Sequence, residues 1–408
     1  MSLGIYIQVP FCQTKCTYCN FHTGVVSRDR YQPYVYAVCR EIAESVGGFS
    51  GGRSFSSDVR PQASAAASAV EDITLAADTI YFGGGTPSLL EPASLSKILS
   101  AIKARFRVES AEVTLEADPE TITPGKATAW RVAGFNRISL GSQSFNDLEL
   151  KSAGRMHRRA DIYTASKVLR EAGIANISFD LIAGLPHQTR DSWDDSVAQL
   201  LGLEPEHVSI YMLEIDEGSR LGRDSLAGGN RYSAGAIPAD DAIADFYEFA
   251  CARLAAAGYQ HYEISNWALP GFRSSHNLKY WRREPYLGFG AGAHSFDGRT
   301  RWANVHDSAR YVALIEQGTS TREQIESVSP SQSLDEEFFL GLRQLEGIDL
   351  TRIERDYATN GQHARVAAIR ERINALRDQG LVELDGSRVR LAPDRLTVSN
   401  EVFVALLE

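Results

Sequence analysis

Ile5-Tyr6-Ile7-Gln8-Val9 runs directly into Pro10-Phe11-Cys12-Gln13-Thr14-Lys15-Cys16-Thr17-Tyr18-Cys19. A short β-branched and aromatic run is a strand, and here it ends in a loop crowded with ligand-type side chains. The same arrangement returns down the chain. Strands are expected at 5–9, 79–82, 113–116, 138–140, 177–181 and 208–213. Several are nearly continuous in apolar residues, as strands covered on both faces tend to be. Helical spacings fall between them, such as Leu95, Ile98, Leu99, Ile102 and Ile162, Ala165, Val168, Leu169. That alternation means βαβ units and a parallel sheet. Polar or Gly-rich clusters follow strand after strand: Cys12 to Cys19, Gly83-Gly84-Gly85-Thr86-Pro87, Glu116, Gln143 and Asp180. Chemistry gathered at the C-terminal ends of many strands is a barrel habit, whereas an open sheet concentrates it at one switch point. The expected fold is therefore α/β, a partial (β/α)6 TIM-like barrel.

The 408 residues leave room for two to three domains, and 43% hydrophobic with 23% charged residues is ordinary globular composition. A formal charge of −10 argues against nucleic acid as a partner. No apolar run approaches the length of a membrane span, and Met1 to Pro10 has no basic, cleavable leader character. Three of the five cysteines lie within eight residues, which points to metal chemistry in a reducing cytoplasm rather than to a disulfide framework. Cys39 and Cys251 have no such context and read as inert thiols.

Residues 1–238 hold the barrel pattern, with 47–70 a Gly-, Ser- and Ala-rich flexible insertion. Residues 239–325 form a linking region with an aromatic and Gly-rich stretch. Residues 326–408 carry helices and two short strands joined by Asp385-Gly386, a hairpin signature that makes a winged-helix-like unit. From Ser331 onward ten arginines and no lysine face fourteen acidic residues, so this unit suits packing or partner contact better than DNA.

Cys12, Cys16 and Cys19 on one loop can each hold one corner of an iron–sulfur cubane, leaving the fourth iron open. The competing reading is a closed Cys₃His zinc site with His22 as fourth ligand.

The stretch Tyr6 to Cys19 resembles the signature of radical S-adenosylmethionine proteins, and more narrowly the oxygen-independent coproporphyrinogen III oxidase and HemW branch. The similarity continues through Gly83-Gly-Gly-Thr-Pro-Ser, Glu116-Ala-Asp-Pro, Gly141-Ser-Gln-Ser-Phe, Asp180-Leu-Ile-Ala-Gly-Leu-Pro and the C-terminal helices. The resemblance implies a radical SAM barrel with a [4Fe-4S] cluster on the three cysteines and S-adenosylmethionine chelated to the open iron. It places Tyr6 and Tyr18 against that cofactor, with the backbone of Gly84, Gly85 and Thr86 at its amino-acid end. Glu116, Gln143, Arg155 and Asp180 match further contacts. On the residues alone, Glu116, Gln143 and Asp180 read equally as capping or loop-ordering groups, and Arg155 as a surface charge beside Arg158 and Arg159.

Two functions compete within the branch: decarboxylation of coproporphyrinogen III, and heme carriage to an acceptor protein. The oxidases carry a further cysteine where this chain has Phe21, and a longer segment ahead of the cluster than the eleven residues before Cys12. His276-Asn277-Leu278-Lys279-Tyr280-Trp281 reproduces the His-Asn-x-x-Tyr-Trp motif associated with heme in HemW proteins. The expectation is a heme chaperone, with respiratory enzymes as acceptors and a homodimer as one allowed state. Whether it also cleaves S-adenosylmethionine stays open. An imidazole supplies an axial donor, a Tyr and Trp a flat wall, and Lys279, Arg282 or Arg283 a partner for propionates. Within the motif His276 is the heme candidate, with His294 and His22 as alternatives; otherwise His276 and Asn277 are hydrogen-bonded structural residues.

Overall fold

In the computed structural model, which describes residues 2–45, 75–358 and 361–407, the side chains of the first strand, β1 (Leu3–Val9), divide by period two. Ile5, Ile7 and Val9 are fully buried in the main hydrophobic core, together with Val35 and Val38 of the helix Tyr31–Glu44. Tyr6 and Gln8 point the other way, where Tyr6 stacks on Tyr81 with ring centroids 6.0 Å apart. The same division runs through β2 (Ala76–Gly84), β3 (Arg107–Ala117), β4 (Arg137–Gln143), β5 (Asn176–Ala183) and β6 (His207–Met212). Ile80, Phe82, Leu115, Ile138, Phe179 and Val208 join the outer core, while on the inner side Tyr81 bonds to Glu116 and Ser139 to Asp180. The strands are thus less uniformly apolar than continuous burial on two faces requires: helices cover one face, and a polar interior lies behind the other.

All six strands expected from the sequence are present and pair in parallel, β1 to β6 in chain order. Helices occupy the crossovers, and the stripes Leu95, Ile98, Leu99, Ile102 and Ile162, Ala165, Val168, Leu169 are their buried faces. The barrel does not close, because β1 and β6 take other neighbours. Residues 239–325 supply them. The hairpin-like pair β7 (Gln260–Glu263) and β8 (Asn266–Ala268) adds antiparallel to β6. On the opposite edge β9 (Tyr286–Phe289) pairs in parallel with β1 and leads into antiparallel β10 (His294–Phe296), β11 (Thr300–Asn304) and β12 (Arg322–Ser327). The result is one 12-stranded sheet. The expected insertion at 47–70 lies outside the described residues.

Toward the C-terminus, helices Pro330–Gly341, Leu350–Ala358, His363–Asp378 and Ser399–Leu407 surround a three-stranded sheet of β13 (Ile348–Asp349), β14 (Val382–Asp385) and β15 (Arg388–Leu391). Asp385 pairs with Arg388 across the two-residue turn, where Gly386 adopts φ 60°. Arg283 ties this unit to the sheet through Glu336 at 2.9 Å and Glu337 at 3.1 Å.

Glu41 on Tyr31–Glu44 locks the β9–β12 edge to the barrel. It accepts from Gly290 N–H (2.9 Å), Asn304 Nδ2 (2.7 Å) and Tyr311 OH (2.6 Å). Burial raises its pKa, and these donors hold it back down. Glu41→Ala should cost about 2–4 kcal/mol in urea unfolding, because three buried donors lose their acceptor. The exposed neighbour change Arg40→Ala should stay within about 0.5 kcal/mol.

Candidate metal and cofactor site

The chain leaving β1 is pinned by the end of β2. Gly85 N–H donates to Val9 O at 2.8 Å and Thr86 N–H to Phe11 O at 2.7 Å. Only a glycine fits there, since a Cβ at position 85 would lie 2.5 Å from Phe11 O and 2.9 Å from Val9 O. Gly84 has φ 108°, and a Cβ on it would sit 2.4 Å from Gln8 Nε2. Further bonds fix the loop itself: Cys12 N–H to Gly24 O (3.0 Å), Thr17 N–H to Ala153 O (3.0 Å) and Leu221 N–H to Thr17 O (2.7 Å).

Cys12, Cys16 and Cys19 stand on this loop as free, partly exposed thiols. Burial, more than neighbouring charge, pushes the Cys12 and Cys19 thiols above their usual pKa. A bound iron removes that cost by taking the proton's place. Arg155 Nη1 donates to Cys16 Sγ at 3.4 Å, and hydrogen bonds to sulfur are one lever on cluster potential. Among the described residues no three His, Cys, Asp or Glu side chains converge as they must around a single ion. The Cys₃His zinc set is therefore not assembled, and the His22 ring instead packs on His306. Three thiols that each take a different iron of a cubane have no need to converge on one point, so the donor set fits a [4Fe-4S] cluster.

Beside the thiols lies a connected polar group. Glu116 accepts from Gly84 N–H at 3.1 Å and from Tyr81 OH at 2.9 Å. Burial, assisted by the nearby Asp180 charge, pushes its pKa up to about 7. Asp180 accepts from Ser139 at 3.1 and 3.3 Å, and burial raises it too. Arg155 is buried and bridges three groups, donating to Gly141 O at 2.9 Å, to Cys16 Sγ and to Asp118. The surface-charge reading of Arg155 is thereby excluded. A Cβ on Gly141 would meet Gln143, Arg155 and Asp118 within 3.3 Å, so these three gather over one strand end. Gln143 holds φ 64° there. Tyr6 donates to Gln8 Oε1 at 2.9 Å inside the barrel, and Tyr18 packs by Ala153, Ile182 and Leu185. Asp118, which also accepts from Thr86 Oγ1 at 3.2 Å, was not singled out from the sequence although it stands inside Glu116-Ala-Asp-Pro. Tyr81 and Ser139 were missed as well. Their signal is the inward alternation two residues before Gly83 and Gly141.

His276 sits elsewhere, on the helix Ser275–Trp281 near the start of β2. Its Nδ1 pairs with Thr79 Oγ1 and its Nε2 with Tyr280 OH, both at 2.8 Å. The ring stacks on Tyr81 and is 1% exposed, and burial pushes its pKa down to about 3. The nearby cations already have partners: Lys279 holds Asp78 and Glu284 at 2.9 Å, Arg282 bonds Gln344 at 3.2 Å, and Arg283 holds Glu336 and Glu337.

The chain matches the Radical SAM superfamily model over residues 6–200 and the HemN C-terminal domain model over residues 328–394. It is 33% identical to the heme chaperone HemW of Bacillus subtilis across 98% of both chains. Against the heme chaperone HemW of Escherichia coli it is 34% identical, covering 72% of this chain and 69% of that one. Coproporphyrinogen III oxidase (HemN) from Escherichia coli superposes with a TM-score of 0.79, covering 99% of this chain and 90% of the other, at 21% identity. At that identity the superposition speaks to the fold alone.

Gly85→Ala should push the Cys12 loop away from β2, lowering stability by about 1–3 kcal/mol and reducing reconstituted iron. Gly24→Ala, whose Cβ would meet nothing within 4 Å, is the matched control. Denaturation curves and iron assays on the two variants separate these outcomes.

Proposed function

Because the chain belongs to the HemW family of radical SAM proteins, we propose that it is a heme chaperone. It holds a [4Fe-4S] cluster on Cys12, Cys16 and Cys19, binds S-adenosylmethionine beside it, and passes heme to an acceptor protein. The observation that carries this reading is three free thiols on one loop, pinned by backbone bonds against Gly85 and Thr86 with Glu116 and Arg155 alongside.

A cubane with one open iron supplies a chelating position for the amino and carboxylate groups of S-adenosylmethionine and an electron for its sulfonium. The chain's own residues supply the setting. Gly84, Gly85 and Thr86 bring bare backbone up to the thiols. The Glu116 carboxylate is suited to an ammonium or a ribose hydroxyl, and Asp180 and Gln143 extend the same wall with Tyr6 and Tyr18 as apolar faces. Arg155, neutralised by Asp118, steadies Cys16 and leaves little net charge beside the cluster.

Coproporphyrinogen III decarboxylation is the alternative. Phe21 in place of the oxidases' additional cysteine speaks against it. The acceptor proposed is a respiratory enzyme, the compartment a reducing cytoplasm, and the acidic 326–408 unit a surface for partner contact. Among the described residues no helix is long and apolar enough to cross a membrane.

Anaerobic reconstitution should give about four irons per chain, lost when Cys12, Cys16 and Cys19 are together replaced by Ala. Stoichiometric zinc without sulfide would overturn the cluster. Reduced protein given S-adenosylmethionine and coproporphyrinogen III should yield no protoporphyrinogen, and robust turnover would favour the oxidase.

The Glu116 assignment has a pH signature. Only the ionised carboxylate attracts a cationic ligand, and with a pKa of about 7 it is protonated at pH 6 and ionised at pH 8. Binding of S-adenosylmethionine, measured by equilibrium dialysis, should strengthen by roughly tenfold across that interval. Glu116→Gln should remove most of that slope.

A further inference from the structure

His22, from the start of the chain, meets His294 and His306, twelve residues apart near its end, at the rim beside the cysteine loop. His22 lies three residues past Cys19, His294 is on β10, and His306 follows β11. The His22 and His306 rings pack with centroids 4.1 Å apart and planes 31° apart. His294 pairs across the ladder with Ala303, three residues before His306, and Gly292 N–H donates to Val305 O at 2.9 Å, which brings the His294 and His306 segments side by side; neighbouring charge on His306 and His22 disfavours charge on it. His306 Nδ1 is buried with no hydrogen-bond partner, pressed toward Gly292, where a Cβ would come within 3.0 Å of it. His22 and His294 themselves are exposed.

The surroundings suit a flat, apolar, anionic ligand. Phe21 is 65% exposed and Val25 60% exposed, so the loop that carries His22 also carries apolar side chains at the surface. Lys15, on the same loop, forms no ion pair with a carboxylate among the described residues and lies close enough to His22 for its charge to be felt there, so it can meet a propionate. The three imidazoles do not converge on one point as a bare metal ion requires, whereas heme iron needs only one or two axial nitrogens. By contrast both nitrogens of His276 are engaged inside the barrel.

We propose that heme is taken at this rim, with His22 as the axial ligand, the packed His306 ring holding it in orientation, and His294 as the adjacent second imidazole. This rests on the heme-chaperone reading and deepens it by locating the cargo next to the cluster loop instead of at the barrel floor. Partial desolvation of the rings, together with the neighbouring imidazoles and cationic side chains, lowers the pKa of His22 and His294, which keeps the neutral, ligating form in place at neutral pH.

Hemin titrated anaerobically into the cluster-reconstituted full chain tests this, read as the Soret difference spectrum and the EPR signal of the heme iron. His22→Ala should weaken binding by about tenfold or more and alter the axial-ligand signature. His22→Met should change the spectrum without abolishing binding, and His276→Gln should leave both readouts as in the wild type. Retained cluster absorption reports that each variant is folded. If the triple alanine variant of His22, His294 and His306 binds hemin with wild-type affinity and spectrum, or if His276→Gln alone abolishes the signal, the rim assignment is overturned while the chaperone reading stands. Failure of the wild type to bind hemin overturns the chaperone reading itself.

Discussion

Everything at the candidate site depends on how closely two stretches of backbone approach at the top of β1 and β2. The Gly85 and Thr86 amides bond to Val9 and Phe11, which sets the direction in which the chain leaves for Cys12. The contact exists only because position 85 has no Cβ to come between the strands. Once it is made, β2 presents the Gly84 amide to Glu116, and the next strands bring Asp118, Arg155 and Gln143 to the same end. One tight backbone approach thus aligns the thiols with a set of groups drawn from four strands and the loops that follow them.

Below this rim the barrel interior is lined by polar and aromatic residues that bond and stack on one another. Tyr6, Tyr81 and His276 form a stacked column, closed at the floor by the Thr79 and Tyr280 hydroxyls. The column couples chemistry at the rim to packing at the floor, because Tyr81 both supports Glu116 and faces the His276 ring. A buried network of this kind is costly to open by halves, since each freed polar atom would need a new partner. This is the physical weight against His276 as an iron ligand in the state described, and it makes the exposed imidazoles near Cys19 the more accessible donors.

The outer strips of the sheet have a separate role. β9 and β8 occupy the positions where a closed barrel would join β1 to β6. A closed six-strand ring would be filled by side chains, whereas here each end of the six-strand series takes its own added neighbour. Glu41 and the Arg283 ion pairs secure these additions to the barrel and to the C-terminal unit.

The sequence by itself determined the six parallel strands, their helices, the hairpin at Asp385-Gly386 and the ligand character of Cys12, Cys16 and Cys19. Those are local properties: side-chain period, turn chemistry and spacing on a single loop all act within a few residues. It also marked Glu116, Gln143, Arg155 and Asp180, although their meaning stayed divided between cofactor contact and loop order. Only the tertiary structure decided that Arg155 is buried against Asp118 and Cys16, that Tyr81 and Ser139 face inward with the carboxylates, and that His22, His294 and His306 come together. Each of those relations joins residues tens to hundreds of positions apart, and no local periodicity encodes such a meeting. Strand order and barrel curvature set it, and they act only when the whole sheet has formed.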